Sequence, residues 1–307
     1  MRNAFIRALT EGGVRDERVV FLTADLGYKL FDDFARRCPG RFFNVGIAEA
    51  NMAGVATGLA LEGKKPFIYS IVPFATLRCY EQLRDDVAYH DADVTVVGVG
   101  GGYSYGANGA THHSLEDVGA LRMLPNMVVL SPGDPHETEA AVAALMHRRG
   151  PAYLRLGRAG EAAVHPGPIT LEIGRAIELR AGGDAALIGT GSMLSTCVQA
   201  VHLLEKRGIS CGLFSMPTIK PLDSALIERL AREVPVVVTA EEHGLIGGLG
   251  SAVAEVLAES GCRVRFRRFG ARDHFAHECG DQAYHRKANA LDAEALADAI
   301  TALARPI

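Results

Sequence analysis

Arg18-Val19-Val20-Phe21-Leu22-Thr23-Ala24-Asp25-Leu26 is the stretch that decides the fold class. From Val19 to Leu22 the run is continuously apolar, where a strand with one wet face would alternate. Such a strand belongs in a parallel sheet covered on both sides. Asp25 then stands near its carboxyl end, where open parallel sheets bind ligands. Runs of the same character recur at 66–69, 94–99, 127–130 and 152–156. Helical patterns lie between them at 81–90 and 135–149, the second opened by the turn and cap Ser131-Pro132-Gly133-Asp134. Around 160–168 periodicity stops and Gly and Pro cluster, as in a linker. A second series follows, with strands at 185–189, 211–215, 235–239 and 263–266 and helices at 194–206, 224–233, 250–259 and 293–303. The expected fold is α/β with two domains, each a mostly parallel sheet flanked by helices: 1–165, a linker 166–174, and 175–307.

Composition narrows the function. The chain has 307 residues, 48% hydrophobic and 22% charged, with a formal net charge of −4. No basic field is present to hold a nucleic acid, and no apolar run is long enough to span a membrane. The first seven residues lack a signal-peptide core, so a cytoplasmic location is expected. Six scattered cysteines without a Cys-x-x-Cys pair indicate no disulfide framework. The length and 34 glycines suggest a complete metabolic enzyme with tight strand-to-helix turns. Generic motifs are negative. Gly98-Val99-Gly100-Gly101-Gly102-Tyr103 and Gly189-Thr190-Gly191-Ser192-Met193-Leu194 both lack the last glycine of a dinucleotide fingerprint. No P-loop, His-Glu-x-x-His or Gly-x-Ser-x-Gly occurs, and His274, His277, Cys279 and His285 fit no zinc spacing.

Three constellations remain. Ala24-Asp25-Leu26 ends the first strand, although Asp25 also suits a plain helix cap. In Asn44-Val45-Gly46-Ile47-Ala48-Glu49-Ala50-Asn51-Met52 a strand turns through Gly46 into a helix, leaving Glu49 near its first turn. The helix dipole alone would favour an acid there, but the apolar surroundings require a partner for it. In Gly106 to Asp117, His112 and His113 follow a glycine-rich loop between a strand and a helix.

In order and spacing these segments resemble the C-terminal half of transketolase, and more distantly deoxyxylulose-5-phosphate synthase and the β subunit of 2-oxoacid dehydrogenase E1. Further matches are Pro73-Phe74-Ala75-Thr76-Leu77-Arg78, Leu124-Pro125-Asn126-Met127, Leu156-Gly157-Arg158, Pro217 to Asp223 and Glu241 to Gly250. The resemblance spans essentially the whole chain. It implies a pyrimidine-binding domain for thiamine diphosphate, followed by the family's C-terminal domain. It places Glu49 on the acid that shares a proton with ring N1′, and Phe74 on the aromatic that stacks on the pyrimidine. A proton shared there favours the tautomer whose 4′-nitrogen deprotonates the thiazolium. Asp25, Leu26 and Arg78 fall in the same cofactor site. His112 falls near the reacting carbonyl and Arg158 on a phosphate-binding arginine. Lys29, Asn108 and His113 complete the expected substrate set. The His274–Cys279 segment matches a packing stretch, so no metal site is expected on this chain.

Family members hold Mg²⁺ and the diphosphate through Gly-Asp-Gly…Asn on another domain, and no Gly-Asp-Gly occurs here. The expectation is therefore a pyrimidine-binding subunit of a split transketolase, active with a separate diphosphate-binding subunit in an α2β2 assembly. It would transfer a two-carbon ketol unit between sugars. Gly100-Gly101-Gly102 replaces a cationic position of the family, Asn108 an acidic one, and Gly27-Tyr28-Lys29-Leu30 a serine segment, so an unusual sugar is expected. Two alternatives are an E1 β-type decarboxylase subunit and a non-catalytic scaffold.

Overall fold

The computed structural model describes residues 1–158 and 160–304. The first half supplies β1 (Val19–Thr23), β2 (Phe42–Asn44), β3 (Lys65–Ile71), β4 (Thr95–Val99), β5 (Val128–Leu130) and β6 (Ala152–Leu156). The second supplies β7 (Ile177–Arg180), β8 (Ala185–Gly189), β9 (Cys211–Ser215), β10 (Thr218–Lys220), β11 (Val236–Gly244) and β12 (Arg265–Ala271). The sheet orders are β10-β5-β6-β4-β3-β1-β2 and β12-β11-β8-β9-β7. Every residue of β1, β4, β6, β8 and β9 is buried, because helices cover both faces of each sheet. Pairing is parallel except at two edges, β10 on β5 and β7 on β9. Among the described residues no helix is long and apolar enough to cross a membrane.

Several features depart from the pattern read in the sequence. The helix Arg2–Arg15 was not foreseen. β7 and β10 were also missed: β7 is only partly buried, and β10 is three residues long. β10 is a strand because the free edge of β5 lies beside it, with Thr218 opposite Leu130 and Lys220 opposite Val129. The second half of the chain thereby extends the first sheet. The pattern at 81–90 divides into a short helix, Tyr80–Gln82, and a π-helical turn, Leu83–Ala88. Residues 166–174 carry no helix or strand, yet Leu171 is buried and Ile169 and Ile173 pack on the first core. Just before them, the backbone N–H groups of Val164 and His165 donate to the buried Asp134 carboxylate at 2.8 and 2.9 Å. The stretch expected to be a linker is thus bound down along the first core.

The two halves meet at the glycine-rich loop. Glu242 of β11 is buried, accepts from the backbone N–H of Tyr103 at 2.6 Å and pairs with Arg286. Gly102 has φ +66°, and a Cβ there would lie 2.4 Å from the Glu242 carboxylate, so this contact needs glycine. His243 Nε2 accepts from Gly119 N–H at 3.3 Å while Nδ1 lies 2.8 Å from the Gly244 carbonyl, which assigns the proton to Nδ1.

Candidate active site

Glu49 is the first residue of the helix Glu49–Leu61. The chain reaches it from β2 through Gly46, at φ +75°. Asn44 fixes that approach. Its Oδ1 accepts from Asp25 N–H at 2.9 Å and Gly46 N–H at 3.1 Å, while its Nδ2 donates to the Asp25 carboxylate at 3.0 Å. Asp25 itself has φ +50°, which an aspartate tolerates better than most residues. The end of β1 is thereby tied to the start of the helix. Leu26 is half-buried, and its carbonyl accepts from Thr23 Oγ1 at 3.0 Å.

The Glu49 side chain is 2% exposed. A carboxylate so placed needs partners, and it has two. Ser70 Oγ of β3 donates to Oε1 at 3.3 Å, and Arg78 Nη1 donates to Oε2 at 2.8 Å. The Arg78 guanidinium also lies over the Phe74 ring, 4.2 Å from its centroid. Burial and then the Glu49 charge push the neighbouring Cys79 thiol up to about 12, so it stays neutral near pH 7. His112 meets Phe74 edge-on, with centroids 5.5 Å apart, and its Nδ1 lies 3.0 Å from Thr111 Oγ1. Glu49, Phe74, Arg78 and His112 therefore form one cluster at the carboxyl edge of the first sheet.

Below the loop is a buried ionic group. Asp117, fully buried, accepts from Ser114 Oγ at 2.7 Å, Tyr153 OH at 2.6 Å and Arg155 Nε at 2.8 Å. Arg155 also donates to the carbonyls of Ser114 and Glu242, at 2.9 and 3.0 Å. His113 packs against Tyr103 and His285 beneath the loop. It is 6% exposed, and its Nε2 faces the Gly106 carbonyl at 3.1 Å. Burial pulls its imidazole below the usual range, consistent with a neutral anchor for the loop.

The remaining expected residues lie at two openings. Lys29 and Tyr28 are exposed, the lysine 5.3 Å from the tyrosine ring centroid, beside a pocket of about 230 Å³ that also reaches Asp25 and Leu26. Asn108 and Arg158 border a larger cleft of about 420 Å³ with Tyr105. The Arg158 guanidinium lies 5.3 Å from the Tyr105 ring centroid. Burial pushes the Tyr105 phenol up, and the charges of Arg2 and Arg158 pull it the other way. Arg2 Nε is buried with no hydrogen-bond partner among the described residues, and neither arginine has an ion pair among them. Ser70, Asn44 and Asp117 were not anticipated as site residues. Ser70 and Asn44 are ordinary polar residues until the sheet brings them to Glu49 and Asp25.

Residues 1–160 match the model of the transketolase pyrimidine binding domain, and 174–294 that of the transketolase C-terminal domain. The chain belongs to the transketolase family. It is 40% identical to the 6-deoxy-6-sulfo-D-fructose transketolase subunit SqwH of Clostridium sp. (strain MSTE9), over 90% of this chain and 85% of that one. It is 37% identical to an apulose-4-phosphate transketolase subunit of Phocaeicola vulgatus, over 86% and 85% of the two chains. A solved split gene transketolase, described as an inactive beta4 tetramer, superposes with a TM-score of 0.92 at 37% identity, over 99% of this chain and 97% of that one. The transketolase of Leishmania mexicana shares the fold at 21% identity and a TM-score of 0.81, with this chain spanning 45% of its length. This transketolase-family chain is thus matched along nearly its whole length by split members, and by less than half of a full-length one.

Proposed function

We propose that the chain is the pyrimidine-binding subunit of a split transketolase that moves a two-carbon ketol unit between sugars bearing an anionic tail. The observation that carries this reading is the buried carboxylate of Glu49, joined to the Phe74 ring through Arg78, the two residues that the family resemblance assigns to the cofactor's pyrimidine. The donor set suits that ring, because Oε2 already accepts from a flat cationic group stacked on the aromatic face. When bound, thiamine diphosphate supplies a carbon nucleophile and an electron sink. Glu49 would hold a proton at ring N1′. Phe74 stacks on the pyrimidine, while Asp25 and Leu26 shape the wall beside it. His112, anchored through its neighbour His113, is placed to polarise or protonate the sugar carbonyl. Mg²⁺ and the diphosphate would be held by a partner subunit carrying Gly-Asp-Gly…Asn, in an α2β2 assembly in the cytoplasm.

The substrate's tail follows from Arg158, an exposed guanidinium at the larger cleft without a carboxylate partner among the described residues. The relatives' names carry a sulfonated and a phosphorylated sugar, both anionic. Lys29 and Asn108 border the sugar's path from the two openings. A transketolase reading is preferred to an E1 β-type one because the split relatives are transketolase subunits.

The test is reconstitution with a diphosphate-binding subunit, followed by ketol-transfer assays on phosphorylated, sulfonated and neutral ketoses. Anionic ketoses should be turned over, and Glu49→Gln should lower kcat by at least about 10²-fold. Largely intact Glu49→Gln activity, or decarboxylation of 2-oxoacids in place of ketol transfer, would overturn the proposal.

A further inference from the structure

Arg78 makes two contacts at once. It donates to Glu49 Oε2 at 2.8 Å, and its guanidinium lies 4.2 Å from the Phe74 ring centroid. A planar cation that stacks on this aromatic and bonds this acid makes the two contacts that a protonated aminopyrimidine would make. Yet the two residues differ sharply in exposure. The Arg78 side chain is 45% exposed, against 2% for Glu49. The carboxylate is fixed at a helix start, with Oε1 held by Ser70, whereas the arginine reaches in from the solvent side. Resting on the reading of Glu49 and Phe74 as the pyrimidine site, we infer that Arg78 is a placeholder: it occupies the pyrimidine's position in the free chain and is displaced when the cofactor enters.

The physical need is clear. Without a partner, a carboxylate that is 2% exposed would carry an uncompensated charge or take up a proton. A split enzyme prolongs that condition, because the site stands empty until the diphosphate end arrives with the other chain. A half-exposed arginine neutralises the acid, keeps the Phe74 ring flanked and leaves through its exposed side. Met, which matches arginine's length without its charge or hydrogen bonds, isolates this role.

Two measurements test it, and the first involves no cofactor. In the free chain, Arg78→Met should lower the thermal midpoint at neutral pH. The double variant Arg78→Met/Glu49→Gln should recover most of that loss, since the acid that needed neutralising is gone. In the second, thiamine diphosphate with Mg²⁺ is titrated calorimetrically into the reconstituted pair. Removing a competitor for the pyrimidine site should tighten binding by about ten-fold, equivalent to about 1.4 kcal/mol. Arg78→Lys, which keeps charge but cannot stack and bond as a plane, should fall between. Weaker binding by Arg78→Met would show that the arginine holds the bound cofactor, and would overturn the placeholder while leaving the functional reading intact. An unchanged midpoint in the free chain would also overturn it. A wild-type pair that binds no thiamine diphosphate would overturn the functional reading and the placeholder together.

Discussion

Asp117 offers the sharpest test of how the two halves of the chain support the site. Its carboxylate receives Ser114 from the His112 loop, Tyr153 and Arg155 from β6, and through Arg155 the Glu242 carbonyl of the second half. Asp117→Ala leaves the Arg155 guanidinium, 5% exposed, without its counter-charge. Breaking one side of a buried pair costs about 3–5 kcal/mol. The Tyr153 hydroxyl also loses its acceptor, which alone costs about 1–3 kcal/mol. These losses share one network and do not add, and Arg155 keeps two carbonyl acceptors, so a total of about 3–5 kcal/mol is expected. Asp117→Asn preserves the shape and one acceptor and should lose about 1.5–3 kcal/mol. Urea unfolding followed by circular dichroism reads the change, with each transition fitted separately if the domains part. Asp117→Leu/Arg155→Met should recover stability relative to Asp117→Ala, because the stranded charge is removed. Acid supplies an independent check. Burial pushes the Asp117 carboxyl up, but the Arg155 charge, a weaker pull from His243 and the hydrogen bonds from Arg155 and Tyr153 together hold it below the usual carboxylate range. Its contribution is therefore present above the unfolded carboxyl's pKa of about 4 and lost as pH falls through the depressed folded value. The gap between wild type and Asp117→Asn should close in that acid window. A loss under about 1 kcal/mol for Asp117→Ala, or a double variant no better than the single, would refute the reasoning.

Two further outcomes are expected. Arg158→Ala should raise KM for a phosphorylated or sulfonated ketose by about ten-fold or more, and change KM for a neutral ketose little, as read by steady-state kinetics. His165 Nε2 lies 2.9 Å from the buried Glu137 carboxylate, and that hydrogen bond raises its imidazole above the ordinary value against the opposing effect of burial. A raised folded pKa means this stabilisation is complete below about pH 6.5 and is lost as pH rises through the folded value. His165→Gln should remove that slope from thermal midpoints measured from pH 5 to 9.

The sequence by itself determined the two α/β units, because continuous apolar strands and amphipathic helices are written in local residue order. It also placed Glu49 at a helix start and Phe74, His112 and Arg158 near strand ends, because a family's motifs keep their spacing along the chain. Tertiary structure alone decided what each side chain meets. β10 is a strand only because β5 has an open edge beside it, and His113 is an anchor only because Tyr103 and His285 close over it. Such pairings are long-range. Burial and charge neutralisation act between residues brought together by the fold, and nothing in the local pattern of either partner encodes the other.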